Sequence, residues 1–183
     1  MNSDLHQQIL AELEKRNLKL AIAESLTGGL VASNFISIAG ASKVVLGSVT
    51  AYQDSLKREL LGVPQNLLDA RGAVSADVAI AMAGGVRERF AHAAEISLDR
   101  VIGISTTGVA GPNSEGNHAA GTVFVAVQAP GVEPMLGSFG FTGSRTSVRE
   151  AAALAVAEQL WDYLSLQVGL RLSDSQATFS HFG

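Results

Sequence analysis

Ser25, Tyr52 and Lys57 are the residues of this chain whose types and positions suggest covalent chemistry. Ser25 stands in Glu24-Ser25-Leu26-Thr27-Gly28-Gly29, between the apolar run Leu20-Ala21-Ile22-Ala23 and a helical pattern. A serine hydroxyl attacks a carbonyl when a base takes its proton, and histidine is the usual base. Of His6, His92, His118 and His181, only His118 falls near a strand-end motif, in a polar loop, so a Ser-His-Asp triad has little support. A lysine can be the base where burial disfavours its ammonium form. Lys57 closely follows a second apolar run, so its amine could return to the sheet edge that carries Ser25. Tyr52, five residues earlier, could relay a proton or orient the nucleophile. Each residue alone also has an ordinary reading: Ser25 as a cap for a helix from Gly28, Lys57 as a solvated helix residue.

Three features suit an anion. Gly28 and Gly29 allow close backbone approach, and the first N–H groups of a following helix are unpaired donors. Thr106-Thr107-Gly108-Val109-Ala110-Gly111-Pro112 could form an oxyanion hole or anion nest, or an ordinary tight loop. Arg145 and Arg149 stand four apart at the start of a long helix, where the macrodipole disfavours cations. An anion there would relieve that cost, and Arg145 is the better phosphate ligand. Arg149 could instead pair with a carboxylate such as Glu150 of a neighbouring chain. There is no HxxxH pair and no carboxylate cluster, so no metal site is expected.

The elements that must position these groups follow from periodicity. Helices are predicted over residues 4–16, 28–38, 53–61, a turn opened by Pro64 and ended by Gly72, about 76–92 with Ser75 as N-cap, and 147–166. Strands are predicted over residues 18–23, 43–51, 100–105, 121–128 and 134–141, the last two forming a hairpin through Pro130-Gly131. Residues 113–120 read as a polar loop. This pattern predicts a single-domain α/β fold, a three-layer α/β/α sandwich with a mixed, mostly parallel sheet. The domain is expected over 1–168, followed by a partly disordered tail over 169–183.

Composition bounds the function. The 183 residues are 47% hydrophobic and 16% charged, which is globular rather than disordered. A formal charge of −4 argues against a general nucleic-acid partner. No apolar run approaches the roughly 20 residues that span a bilayer, so no membrane partner is expected. With no cysteine and no basic or apolar leader pattern at Met1–His6, a cytoplasmic location is expected.

Taken together, several stretches resemble the CinA C-terminal domain family, whose stand-alone members are nicotinamide mononucleotide amidohydrolases. They are Ala23–Gly29, Ala39–Ser42, Val49–Tyr52 with Lys57, Gly72–Ser75, Ala81–Ala83, Gly108–Pro112, Gly121–Val123, and Gly143–Arg145 through Arg149, in family order over about residues 5–165. The resemblance implies hydrolysis of nicotinamide mononucleotide to nicotinic acid mononucleotide and ammonia, without metal or organic cofactor. It makes Ser25 the nucleophile, Lys57 the general base and later acid, and Tyr52 the third catalytic member. It also implies substrate contacts from Glu24, Thr27, Gly28, Gly29, Thr107, Gly108, Ala110, Gly111 and Arg145, and a homodimer. The family's pyrophosphatase-like N-terminal domain is not expected here, so its activity is not transferred. A binding module without turnover, and a Ser-Lys amidase for another amide, are the alternatives.

Three departures from the family pattern stand out. Leu26 replaces the usual Cys, Gln53-Asp54-Ser55-Leu56 replaces a tendency to Ser-Asn-Glu-Ala, and His118-Ala119-Ala120 stands where Lys-Pro is common.

Overall fold

The computed structural model describes residues 3–178, with side chains described over residues 4–166. The element order is α1 (Ser3–Lys15), β1 (Lys19–Glu24), α2 (Leu30–Ile36), β2 (Val45–Thr50), α3 (Asp54–Leu61), α4 (Gln65–Arg71), α5 (Ala76–Ala93), β3 (Val101–Gly108), β4 (Thr122–Gln128), β5 (Met135–Gly140) and α6 (Arg145–Thr178). The strands form one sheet in the order β2-β1-β3-β4-β5. β1 pairs in parallel with both β2 and β3, while β3–β4 and β4–β5 are antiparallel. Four strands therefore run one way and β4 alone opposes them.

Side-chain alternation assigns the two faces. Leu20 and Ile22 of β1, with Ile102 and Ile104 of β3, pack under α1, α2 and α6. Ala21 and Ala23 point the other way, toward α3, α4 and α5. That second face is built for close approach: a Cβ on Gly103 would lie 2.0 Å from the Ala83 carbonyl oxygen of α5. The buried Ser105 hydroxyl donates to the Ala79 carbonyl at 2.6 Å, which fixes α5 over the sheet.

The predicted N-cap at Ser75 is present, its Oγ accepting from the Val78 N–H. Other boundaries differ for local reasons. α2 starts only at Leu30 because Gly28 (φ 60°) and Gly29 (φ 94°) turn left-handed before it. β3 continues through Thr106, Thr107 and Gly108, expected as loop, because these residues pair with Val125, Phe124 and Val123 of β4. α6 begins two residues early, where Ser144 Oγ accepts the Ser147 N–H at 3.1 Å. It extends past Leu166 to Thr178. In the expected tail, residues 179–183 and the side chains of 169–178 lie outside what the structure describes. Among the described residues, no helix is long and apolar enough to cross a membrane.

The topology creates one crevice. The chain leaves β1 toward α2 on one face and leaves β2 toward α3 on the other. The carboxyl ends of these adjacent parallel strands therefore part, which is where ligands enter open α/β sheets.

Candidate functional site

Ser25 follows the end of β1, Tyr52 and Lys57 follow β2, and Thr107 and Gly108 close β3. All five border one cleft of about 210 Å³, together with Asp54 and Glu115. A second cleft of about 360 Å³ adjoins it through Tyr52, Gly108 and Glu115, and carries Ala110, Gly111 and Arg145.

Lys57 is only 2% exposed, which removes the reading of it as a solvated helix residue. Its position in the first turn of α3 aims the amine back toward the strand ends. There Nζ donates to the Tyr52 carbonyl and to Asp54 Oδ1, both at 3.2 Å. A neutral amine has two N–H donors and one lone pair. Were Lys57 neutral, its two acceptors would use both donors and leave the lone pair for an incoming proton. Ser25 is 7% exposed, and its backbone N–H is anchored to the Thr106 carbonyl at 3.0 Å. Ser25 Oγ and Lys57 Nζ share the cleft without a direct hydrogen bond, an arrangement common where catalytic contacts tighten on binding. Tyr52, half exposed, accepts from Arg145 through its hydroxyl oxygen at 3.0 Å, so its own O–H remains able to donate. Arg145 also donates to the Gly111 carbonyl at 2.8 Å, which aims the guanidinium along the second cleft.

The Glu24–Gly29 turn departs from expectation. Glu24, expected at the substrate, is fully buried. Its carboxylate accepts the N–H groups of Gly29 (2.9 Å), Val31 (3.1 Å) and Ala32 (2.9 Å). The helix N–H donors expected to face an anion are thus already satisfied by a side chain. Thr27 is likewise buried, its hydroxyl sharing a 2.7 Å hydrogen bond with Thr106. Gly28 donates its N–H to the Ser25 carbonyl at 3.2 Å. The two glycines serve a left-handed turn that folds α2 back over Glu24.

That turn produces a different donor. The Ser25 carbonyl points inward to Gly28, so the N–H of the same trans peptide, on Leu26, points the opposite way. Among the described residues, the Leu26, Ala110 and Gly111 N–H groups meet no intrachain acceptor. Val109, by contrast, donates to the Thr122 carbonyl at 2.8 Å. Arg149 is engaged within the chain, holding the Leu26 carbonyl at 3.1 Å and the Thr27 carbonyl at 2.6 Å. Thr107 Oγ1 is committed to the Ala73 carbonyl at 2.8 Å.

Sequence reasoning passed over Asp54 and Glu115 because an acidic residue at a helix start or in a polar loop reads as solvated. The only sequence signal for Asp54 was its spacing of three from Lys57, which on a helix makes them neighbours. Among the described residues, no group of three or more His, Asp or Glu side chains is gathered as a metal site would require.

Comparison with known proteins agrees with this architecture. The family profile described as the CinA C-terminal domain matches residues 2–164. A CinA-like protein of Desulfotalea psychrophila is 39% identical over 163 residues, which is 88% of this chain and 37% of that protein. The chain thus spans little more than a third of that relative's length. Competence/damage inducible protein CihA of Agrobacterium tumefaciens has a similar crystal structure, with a TM-score of 0.80 and 30% identity over 89% of this chain and 94% of that one. A CinA superfamily protein of Escherichia coli is similar to the same degree, with a TM-score of 0.79 and 30% identity over 88% and 89% of the two chains.

Proposed function

From the membership of this chain in the CinA C-terminal domain family, we propose that it is an amidohydrolase converting nicotinamide mononucleotide to nicotinic acid mononucleotide and ammonia. The observation that carries this reading is the meeting of Ser25, a buried Lys57 and Tyr52 on one cleft, beside a second cleft headed by Arg145.

In this reading Ser25 Oγ attacks the carboxamide carbon while its proton passes to the lone pair of Lys57. The oxygen of the tetrahedral intermediate takes hydrogen bonds from outward-facing N–H groups, with Leu26 the donor next to the nucleophile. Lys57 then gives its proton to the departing nitrogen, releasing ammonia and leaving an acyl ester on Ser25. Water adds to that ester, Lys57 accepts the water's proton, and the proton returns to Ser25 as the acid leaves. Asp54 and the Tyr52 carbonyl hold the amine throughout. Arg145 binds the phosphate, and the Tyr52 hydroxyl links the two clefts.

A second reading, a nucleotide-binding module without turnover, is favoured by one observation: Lys57 bonds to Asp54 and Tyr52 rather than to Ser25. A Ser-Lys amidase for another amide would share the machinery. Ammonia release is measured with nicotinamide mononucleotide, nicotinamide riboside and nicotinamide, with chromatographic identification of the acid. The proposal predicts turnover of the mononucleotide above the two substrates that lack phosphate. Equal turnover of all three would remove Arg145 from recognition, and turnover of none would leave the binding module.

A further inference from the structure

Charge is divided unevenly along the two adjoining clefts. In the inner cleft Lys57 is matched by Asp54 at 3.2 Å. Glu115 also borders that cleft and belongs to no ion pair among the described residues. The outer cleft has Arg145, with Glu115 again at its border. With Lys57 charged or neutral, the residues lining the inner cleft thus carry an excess of negative charge, and the Arg145 guanidinium belongs to the outer cleft. An anionic ligand without a positive group would meet repulsion at Glu115. A ligand with a cation next to its amide and an anion farther away would match both.

The placement of Glu115 is held by the backbone. Glu115 and His118 exchange hydrogen bonds, each N–H to the other's carbonyl at 3.0 Å, across a two-residue turn. Gly116 takes the left-handed conformation that such a turn needs, at φ 54°. The His118 ring stands edge-on to Phe124 with centroids 6.2 Å apart, tying the turn to β4. The carboxylate is therefore presented from a braced turn, although the residue itself is exposed.

We propose that Glu115 is a specificity-determining residue that selects a ring with a fixed positive charge beside the carboxamide. This rests on reading the cleft as a mononucleotide amide site. An N-substituted pyridinium has no N–H to donate, so hydrogen bonding cannot report its charge. A nearby carboxylate can, through Coulomb attraction strengthened when the ligand excludes water. The single hydride that separates the pyridinium from its neutral 1,4-dihydropyridine form, and the ring charge it removes, then becomes a difference in binding.

The test uses nicotinamide mononucleotide and its reduced, neutral-ring form, which carry the same ribose, phosphate and carboxamide. Dissociation constants are measured by calorimetry in the Ser25→Ala background, with and without Glu115→Gln, so that turnover does not intrude. Without the second substitution the oxidised form binds more tightly. Glu115→Gln weakens the oxidised form by about tenfold, within the range of a charge-assisted contact, and leaves the reduced form unchanged. Equal weakening of both forms, or of neither, overturns the assignment of Glu115. Wild-type ammonia release separates the two claims. Turnover with an unaltered charge preference removes Glu115 and leaves the amidohydrolase, whereas charge discrimination without turnover leaves Glu115 and removes the reaction. Failure to bind either nucleotide removes both.

Discussion

Replacing Glu24 distinguishes a carboxylate that holds the turn beneath the candidate site from one that touches substrate. Its oxygens receive three N–H groups, two of them, from Val31 and Ala32, buried. Alanine leaves those donors without an acceptor at the start of α2. An unsatisfied buried donor costs about 1–3 kcal/mol, and water entering the vacated space recovers part of that. The expected loss for Glu24→Ala is about 3–5 kcal/mol, among the large single-site effects. For a domain of this size that corresponds to a fall in Tm of roughly 6–20 °C. Glutamine keeps one acceptor oxygen but turns an NH₂ toward the helix N–H groups, so Glu24→Gln should cost about 1.5–3 kcal/mol. Both variants are compared by thermal and urea unfolding, alongside calorimetric binding of nicotinamide mononucleotide. The reasoning is refuted if Glu24→Gln unfolds like wild type while its affinity for the nucleotide drops, because Glu24 would then be a ligand contact.

Three further outcomes follow from the same geometry. Tyr52→Phe removes the hydroxyl that accepts from Arg145; steady-state kinetics should show KM raised about three- to tenfold, the size of one polar contact, with unfolding unchanged. Gly103→Ala would place a Cβ 2.0 Å from the Ala83 carbonyl oxygen, so α5 must shift, and urea unfolding should show a loss of about 2–3 kcal/mol. Hydrogen bonding from Arg16, partly offset by burial, holds the Glu12 carboxyl below its ordinary value of 4.5. A depressed carboxylate stabilises above its unfolded pKa, and that stabilisation fades as pH falls through the folded value. Glu12→Gln should therefore cost about 0.5–1 kcal/mol near pH 7 and nothing in strong acid, as followed by urea midpoints across pH.

The fold was largely legible because its signals are local. The alternation of Leu20 and Ile22 against Ala21 and Ala23 foretold two covered faces, and Ser75 marked the start of α5 by its hydroxyl alone. That Ser25, Tyr52 and Lys57 line one cleft was legible through position, since each residue follows the end of a parallel strand. What escaped depends on tertiary return. Nothing local to Glu24 says that two left-handed glycines will bring the start of α2 back onto its carboxylate. Arg145 and Arg149 share a helix and a spacing, yet one meets Tyr52 and Gly111 while the other holds the Leu26 and Thr27 carbonyls. Their partners come from other strand ends, which spacing along one helix cannot report. Asp54 and Glu115 were invisible for a related reason: an acidic residue at a helix start or in a loop looks solvated until a buried amine or a second cleft is found beside it.

Ser25→Ala tests the central claim most directly, with ammonia release and nucleotide affinity measured on the same preparation. The account predicts that the variant binds nicotinamide mononucleotide within about twofold of wild type, since only a hydroxyl at the attacking position is lost, and releases no ammonia above the uncatalysed rate. Sustained release by the variant would contradict it, because the carboxamide would then be hydrolysed without the nucleophile around which the cleft is organised.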